Sequence, residues 1–258
     1  MLKVHRLPCF EDNYIWLIQG VGSSASSAVI VDPGDATPVM AALEQLRLTP
    51  EAILVTHHHA DHVGGITTIL QHYAMPVYGP ANETIAGVSH PVGEGDCIGL
   101  LGDQCRLEVL DLPGHTRGHV AYYGDGMLFC GDTLFAGGCG RLLGGTAAQL
   151  FRSLQKIAAL PNNTALYCAH EYTAANLKFA LQVEPNNAAL LQRSMQCERL
   201  RQEHEASVPS LLALEKQTNP FLRTEKSSII QAAEGYAGRQ LVPGEGVFAL
   251  LRYWKDCF

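Results

Sequence analysis

The stretch ILVTHHHADHVGGI, residues 53–66, brings His57, His58, His59, Asp61 and His62 together in one short run. Imidazoles and a carboxylate this close can hold a divalent metal ion. In an extended segment alternate side chains share a face, so His57 and His59 form a natural pair and His58 points away. Asp61 continues that alternation, and His62 reaches back from the turn that follows. Gly64 and Gly65 let the chain bend tightly into a helix. His58 is therefore read as a non-ligand.

Two metals need six or so ligands, more than one loop can supply, so partners are expected at other strand ends. His115 closes LEVLDLPGH, Asp132 follows MLFCG, and His170 closes TALYCAH. Each sits where an apolar run stops at a turn, and this repeated placement is more specific than any lone histidine. His119 lies on a loop, where its four-residue spacing from His115 has no helical meaning. It is read as a supporting residue behind the ligands. His5, His72, His90 and His204 fall outside any convergent pattern. Imidazole and carboxylate donors without thiolate suit Zn²⁺, iron or Mn²⁺. A carboxylate bridging two ions roughly 3.5–4 Å apart is a common hydrolytic arrangement.

The elements that must position these residues are short. YIWLI, SAVIVDPG, AILVTH, MPVYG, RLEVLDLPG, VAYYG, MLFCGD and TALYCAH read as strands. Helices are expected over 37–46, 65–72 and 146–160, with Pro38 and Thr146 suited to helix starts. Strands covered by helices imply a layered α/β domain reaching about residue 172. Beyond it, residues 173–258 read as a small helical domain. Its NNAALLQRSMQCERLRQEHEA segment is capped by Asn186 or Asn187, with Leu190, Leu191, Met195 and Leu200 as its buried face. Shorter helices are expected over 209–216 and 246–255, and GSSASSA at 22–28 as a turn between strands.

Composition narrows the function classes. A net charge of −7 over 258 residues disfavours nucleic-acid binding, which needs a basic field. No apolar run approaches the roughly 20 residues of a transmembrane helix, and the first twenty residues do not read as a signal peptide. The eight cysteines show no CxxC pair or disulfide framework, so they are read as reduced thiols of a cytoplasmic protein. No interface signature stands out, and a monomer is expected.

THHHADHVGG matches the HxHxDH signature of the metallo-β-lactamase superfamily, and PGHTRGH, GDTLF and AHEYT resemble its later ligand motifs. More narrowly, DNYIW, GDTLFAGGCGR, AHEYTAANLKFA, NPFLR and KDCF resemble the hydroxyacylglutathione hydrolase family (glyoxalase II) along nearly the whole chain. The resemblance implies an αββα sandwich followed by a glutathione-binding helical domain. It implies two divalent ions, zinc first and iron or manganese as alternatives. His57, His59 and His115 would hold one, Asp61, His62 and His170 the other, with Asp132 bridging. Asp61 and Asp132 would also orient the attacking hydroxide. Arg141, Tyr172, Arg252 and Lys255 would bind the substrate, cations there matching the two carboxylates of glutathione. Members often carry an aromatic residue where Leu143 stands and an acidic one at Gly144.

The activity so implied is hydrolysis of S-lactoylglutathione and related 2-hydroxyacyl thioesters, the chemistry of methylglyoxal detoxification. No G-x-S-x-G elbow supports a serine nucleophile. Rivals within the superfamily are a one-iron glutathione persulfide dioxygenase and a lactonase. A flavodiiron protein is disfavoured by His59, where glutamate would be expected, and a nuclease by the acidic charge. A metal-binding protein without activity is disfavoured by the complete ligand set.

Overall fold

The computed structural model describes residues 2–258. The chain divides into two compact units, one comprising the residues up to Asp111 together with Arg117–Gly131, the other Leu112–Thr116 with Asp132–Phe258.

In the first unit, six strands lie side by side in sequence order: β1 (Lys3–Cys9), β2 (Asn13–Gln19), β3 (Ser27–Val31), β4 (Thr49–Leu54), β5 (Val77–Pro80) and β6 (His90–Val92). The first three pair antiparallel, and β3 to β6 pair parallel. Residues 14–18 of β2 are all buried, the continuous apolar run expected of a strand covered on both faces. β1 is half-buried and carries Pro8. Proline suits an edge strand, where no ladder N–H is required; the mixed KVHRLP pattern hid this strand from the sequence reading.

The parallel pair β3–β4 is joined by α1 (Ala36–Leu46), which starts where Asp35 Oδ1 accepts the Thr37 N–H at 2.9 Å. α2 (Ala60–Val63) and α3 (Ile66–His72) follow β4. Val39 and Leu43 of α1, with Ile66 and Ile69 of α3, pack on Ile15, Leu17, Ile30, Ile53 and Val55. Each such side chain contributes roughly 1.5–3 kcal/mol by leaving water.

β7 (Cys97–Leu100), β8 (Cys105–Asp111), β9 (Val120–Gly124) and β10 (Met127–Gly131) form an antiparallel meander. Asp125 and Gly126, both with positive φ, turn β9 into β10 with the backbone twist that short hairpins prefer. The buried Tyr122 hydroxyl of β9 donates to Val55 O at 2.7 Å, tying the meander to the end of β4. Gly22–Ser24 within GSSASSA forms a single 3₁₀ turn before β3.

The second unit holds the hairpin β11 (Leu134–Phe135) and β12 (Gly138–Cys139), helix α4 (Ala147–Ala158), the antiparallel pair β13 (Ala165–Cys168) and β14 (Ser210–Leu211), and five further helices. These are α5 (Thr173–Val183), α6 (Ala188–Gln202), α7 (Leu212–Thr218), α8 (Ser227–Ala237) and α9 (Glu245–Asp256). A full capping box between Thr146 and Gln149 starts α4, which is why Thr146 was legible as its boundary. Pairing of Ser210 with Leu166 delays α7 to Leu212, later than the helix expected over 209–216. α8 lies outside the expected helices because it buries only Ile229 and Ala233, too sparse a stripe to mark a helix.

α6 corrects the sequence reading. Asn187, not Asn186, caps it by accepting from Leu190 N. The buried face is Leu190, Arg193 and Cys197, whereas Leu191 and Met195 are exposed and Leu200 is half-buried. The apolar pattern misled because the buried stripe includes an arginine. Arg193 donates to Thr218 Oγ1 at 2.6 Å and Ser210 Oγ at 3.1 Å, and ion-pairs with Glu215. Glu215 is fully buried and also accepts from Gly137 N at 2.8 Å and Asn219 Nδ2 at 3.1 Å. Removing one partner of a buried pair strands the other charge, at about 3–5 kcal/mol. Glu215→Ala should therefore destabilise the protein by about that much in urea or thermal unfolding; a loss under about 1 kcal/mol would contradict the network's structural role.

Candidate metal centre

In the first unit the donors follow β4. His57 is buried; its Nδ1 lies 3.1 Å from Thr56 Oγ1, leaving Nε2 to face His59 Nδ1 at 3.0 Å. Two imidazole nitrogens converging this way form one donor pair. His58 turns out instead: its Nδ1 and backbone N–H both meet Glu83 Oε2, at 2.8 and 2.7 Å. Alternation therefore separates the three histidines as the sequence suggested, but it stops at His59. Ala60–Val63 is helical, with His62 N–H donating to His59 O at 2.9 Å and Gly64 N–H to Ala60 O at 2.8 Å. Asp61 thus enters from a helical turn, not from a continued strand. Asp61 Oδ2 and His62 Nε2 make the second donor pair, 3.6 Å apart.

The second unit has the same arrangement around one carboxylate. His115 Nε2 faces Asp132 Oδ2 at 3.4 Å, and His170 Nε2 faces Asp132 Oδ1 at 3.4 Å. Asp132 thus presents a separate oxygen to each imidazole. His115 is aimed by its other nitrogen, Nδ1, which lies 2.8 Å from Arg141 O. The Tyr172 ring stacks on His170 with centroids 4.7 Å apart and planes 6° from parallel.

The donors, imidazole nitrogens and carboxylate oxygens free of thiolate, are those of a divalent metal site. No thiol joins these donor groups: none of the eight cysteines is in a disulfide, and burial pushes the Cys105 and Cys168 thiols up to about 12.

The cationic residues fall in different settings. Arg141 is largely exposed, its Nε 3.9 Å from Asp256 Oδ1. Arg252 is buried and committed to the backbone, Nη1 donating to Cys139 O at 2.9 Å and Gly140 O at 3.3 Å, and Nη2 to Asp256 Oδ1 at 2.9 Å. Lys255 donates to Asn176 Oδ1. Burial, then the Arg252 charge, lowers the Lys255 pKa from 10.5 to about 8. Leu143 is exposed and its N–H donates to His115 O at 2.9 Å, so the loop carrying Arg141 also braces a metal donor.

Two supporting residues, Asp32 and Asn13, escaped the sequence reading. Asp32 is buried at the tip of β3; Oδ1 accepts from Thr56 N at 2.7 Å, and Oδ2 from Thr56 Oγ1 at 2.7 Å and from His62 Nδ1 at 3.0 Å. Asn13 donates to Asp61 Oδ2 at 2.9 Å. His119 is buried and stacks on His57 at 4.7 Å, the supporting position expected of it. Asp32 was legible in principle, since SAVIVD ends an apolar strand in the same way as the chosen ligands do. Gly131 just before Asp132 has φ 45°, and a Cβ there would lie 2.3 Å from Thr56 Oγ1 and 2.8 Å from His119 Nε2; only glycine fits. Because Asp32 fixes the tautomer and aim of His62, Asp32→Asn should weaken metal affinity about 10–100-fold in chelator competition with the fold retained by circular dichroism. Unchanged affinity would contradict that role.

Residues 10–170 match the metallo-β-lactamase superfamily model, and residues 171–258 match the model described as hydroxyacylglutathione hydrolase C-terminus. A hydroxyacylglutathione hydrolase of Nitrosomonas europaea is 50% identical over 100% of this chain and 97% of its own. Those of Alkalilimnicola ehrlichii and Photobacterium profundum are each 52% identical, over 99% of both chains and 100% of both chains respectively. Among solved structures, the BLEG-1 B3 metallo-β-lactamase aligns with a TM-score of 0.63 at 25% identity, over 85% of this chain and 99% of its own. The di-iron-bound form of TTHA1623 aligns at 0.59 with 28% identity, over 84% and 98%. ETHE1 of Myxococcus xanthus, 23% identical over 100% and 99%, shares the fold with a TM-score of 0.66. The layered α/β chain with its helical C-terminal region is a metallo-β-lactamase fold, and the protein belongs to the hydroxyacylglutathione hydrolase family.

Proposed function

We propose that this chain hydrolyses S-(2-hydroxyacyl)glutathione, with S-lactoylglutathione as the model substrate, using two divalent ions, zinc foremost and iron or manganese as alternatives. His57, His59 and His115 hold one ion, Asp61, His62 and His170 the other, and Asp132 bridges. The observation that carries the reading is the family match over residues 171–258, the part of the chain that distinguishes these hydrolases from other members of the superfamily. The donor sets support it, since each group contains the residue types a metal ion requires. The one-iron dioxygenase and lactonase readings are set aside on the full-length similarity to the hydrolases.

When bound, such ions supply hydroxide near neutral pH by lowering the pKa of water from 15.7 to about 7, and they polarise the thioester carbonyl. Asp61 and Asp132 orient the nucleophile as well as providing ligand oxygens. A thiol of ordinary pKa, about 8.5, leaves as thiolate, so no protonated side chain is needed to release glutathione. Arg141 and Lys255 match the carboxylates of glutathione, and Tyr172 adds an aromatic wall. Arg252 serves by a different route, holding the Cys139 and Gly140 carbonyls and with them the start of the Arg141 loop. In this reading residues 1–172 carry the chemistry and 173–258 help bind glutathione. Eight cysteines without a disulfide suit a reducing cytoplasm. Among the described residues no helix is long and apolar enough to cross a membrane. Nothing in the function requires a second copy, and a monomer suffices.

Two experiments test this. Asp132→Ala should abolish thioester loss from S-lactoylglutathione, followed by release of free thiol; retained turnover would overturn the assignment. The second uses Lys255, whose pKa is lowered to about 8. Its buried charge weighs against the folded state below that pH and is relieved as pH rises towards 10.5, whereas a bound carboxylate needs the charged form. KM should therefore rise from pH 7 to 9, by up to about tenfold as the charged fraction falls. Lys255→Met should start with a high KM and show no such rise; a wild-type KM flat across that range would remove Lys255 from the site.

A further inference from the structure

The loop between β1 and β2 holds Phe10 where stability alone does not favour it. Cys9 pairs with Asn13, leaving Phe10, Glu11 and Asp12 as the turn. Phe10 has φ 52°, the left-handed region in which a bulky residue is an outlier and glycine or asparagine is at ease. The residue is also 61% exposed, so the position bears backbone strain and leaves apolar surface in water. Strain held at an exposed aromatic residue points to a function for that side chain.

The surroundings indicate which function. Phe10, Glu11, Asp12, Asn13, Ala60 and Asp61 line a cavity of about 430 Å³. Asn13 Nδ2 donates to Asp61 Oδ2 at 2.9 Å, so the turn and the donor helix are fastened together. Gly34 permits the same closeness from below: a Cβ there would lie 2.0 Å from Asp61 O and 3.0 Å from Phe10 Cε2. The ring is thereby set beside the backbone of a donor residue. Beside Asp61, which the hydrolase reading gives to a metal ion, the lining offers the carboxylates of Glu11 and Asp12 and no lysine or arginine. Glutathione carries two carboxylates and one ammonium, a net negative charge that such a lining repels. The other end of the substrate, a neutral hydroxyacyl group, meets no such repulsion. Its hydroxyl can donate to a carboxylate, and its carbon substituent can lie on an aromatic face.

We propose that Phe10 is an acyl-specificity residue, forming the apolar wall against which the substituent of the 2-hydroxyacyl group packs. The proposal rests on the hydrolase reading above. It is tested by measuring kcat/KM for S-formyl-, S-acetyl-, S-lactoyl- and S-mandeloylglutathione with wild type, Phe10→Gly and Phe10→Tyr. Glycine suits the left-handed backbone, so Phe10→Gly folds, and Phe10→Tyr keeps the ring. Phe10→Gly lowers the mandeloyl-to-formyl ratio of kcat/KM by about tenfold, the scale of one aromatic contact. Phe10→Tyr holds that ratio within about twofold, and competitive inhibition by free glutathione keeps its constant in both variants. Equal losses on all four thioesters, or weakened inhibition by glutathione, would overturn the acyl-wall assignment while leaving the hydrolase reading standing. Wild type inactive on every thioester would overturn both.

Discussion

The buried carboxylate of Asp32 is the constraint on which the donors that follow β4 depend. Its two oxygens take the backbone N–H and hydroxyl of Thr56 and the Nδ1 of His62. Thr56 ends the run that delivers His57, and His62 lies on the helical turn that follows, so one side chain secures both ends of the donor loop. With Nδ1 occupied, His62 can offer only Nε2 to a metal, and a charge-assisted hydrogen bond makes that nitrogen a better donor. The cost of burying Asp32 is offset by these three donors; without them the group would be strongly destabilising.

In the second unit the donors are organised around Asp132 in the same way. Gly131 allows the chain to pass Thr56 and His119 closely, and Asp132 then divides its oxygens between His115 and His170. The far nitrogen of His115 is tied to Arg141 O, and Arg252 and Leu143 hold the same loop. The segment proposed to recognise glutathione is therefore the one that aims a metal donor. Substitutions in GGCGRLLGG would be expected to affect metal and substrate together, and Leu143, exposed on that loop, has room to vary.

Much of this was legible in sequence because of two simple rules. Alternation separated His57 and His59 from His58, and the placement of polar residues at apolar strand tips picked out His115, Asp132 and His170, which the second unit brings together. Both rules act over a few residues, so no tertiary information was needed. They failed where the determining contact is remote. Asp61 was read as extended, but helix formation from Ala60 overrides alternation. Asp32 obeyed the strand-tip rule and was overlooked because its partners, Thr56 and His62, lie more than twenty residues on. The buried face of α6 was misread because Arg193 is buried by Glu215, a pairing that no local pattern reveals. The surface apolar residues Leu191 and Met195 fitted a helical stripe without belonging to the core.

In the proposed site one bridging aspartate, Asp132, serves two ions held by separate histidine sets. Anomalous diffraction at the metal absorption edge, from crystals of the metal-loaded protein, tests it most directly. Two peaks per chain are expected, one bounded by His57, His59 and His115, the other by Asp61, His62 and His170, with Asp132 touching both. A single peak, or two of which one lies beyond reach of Asp132, would contradict it.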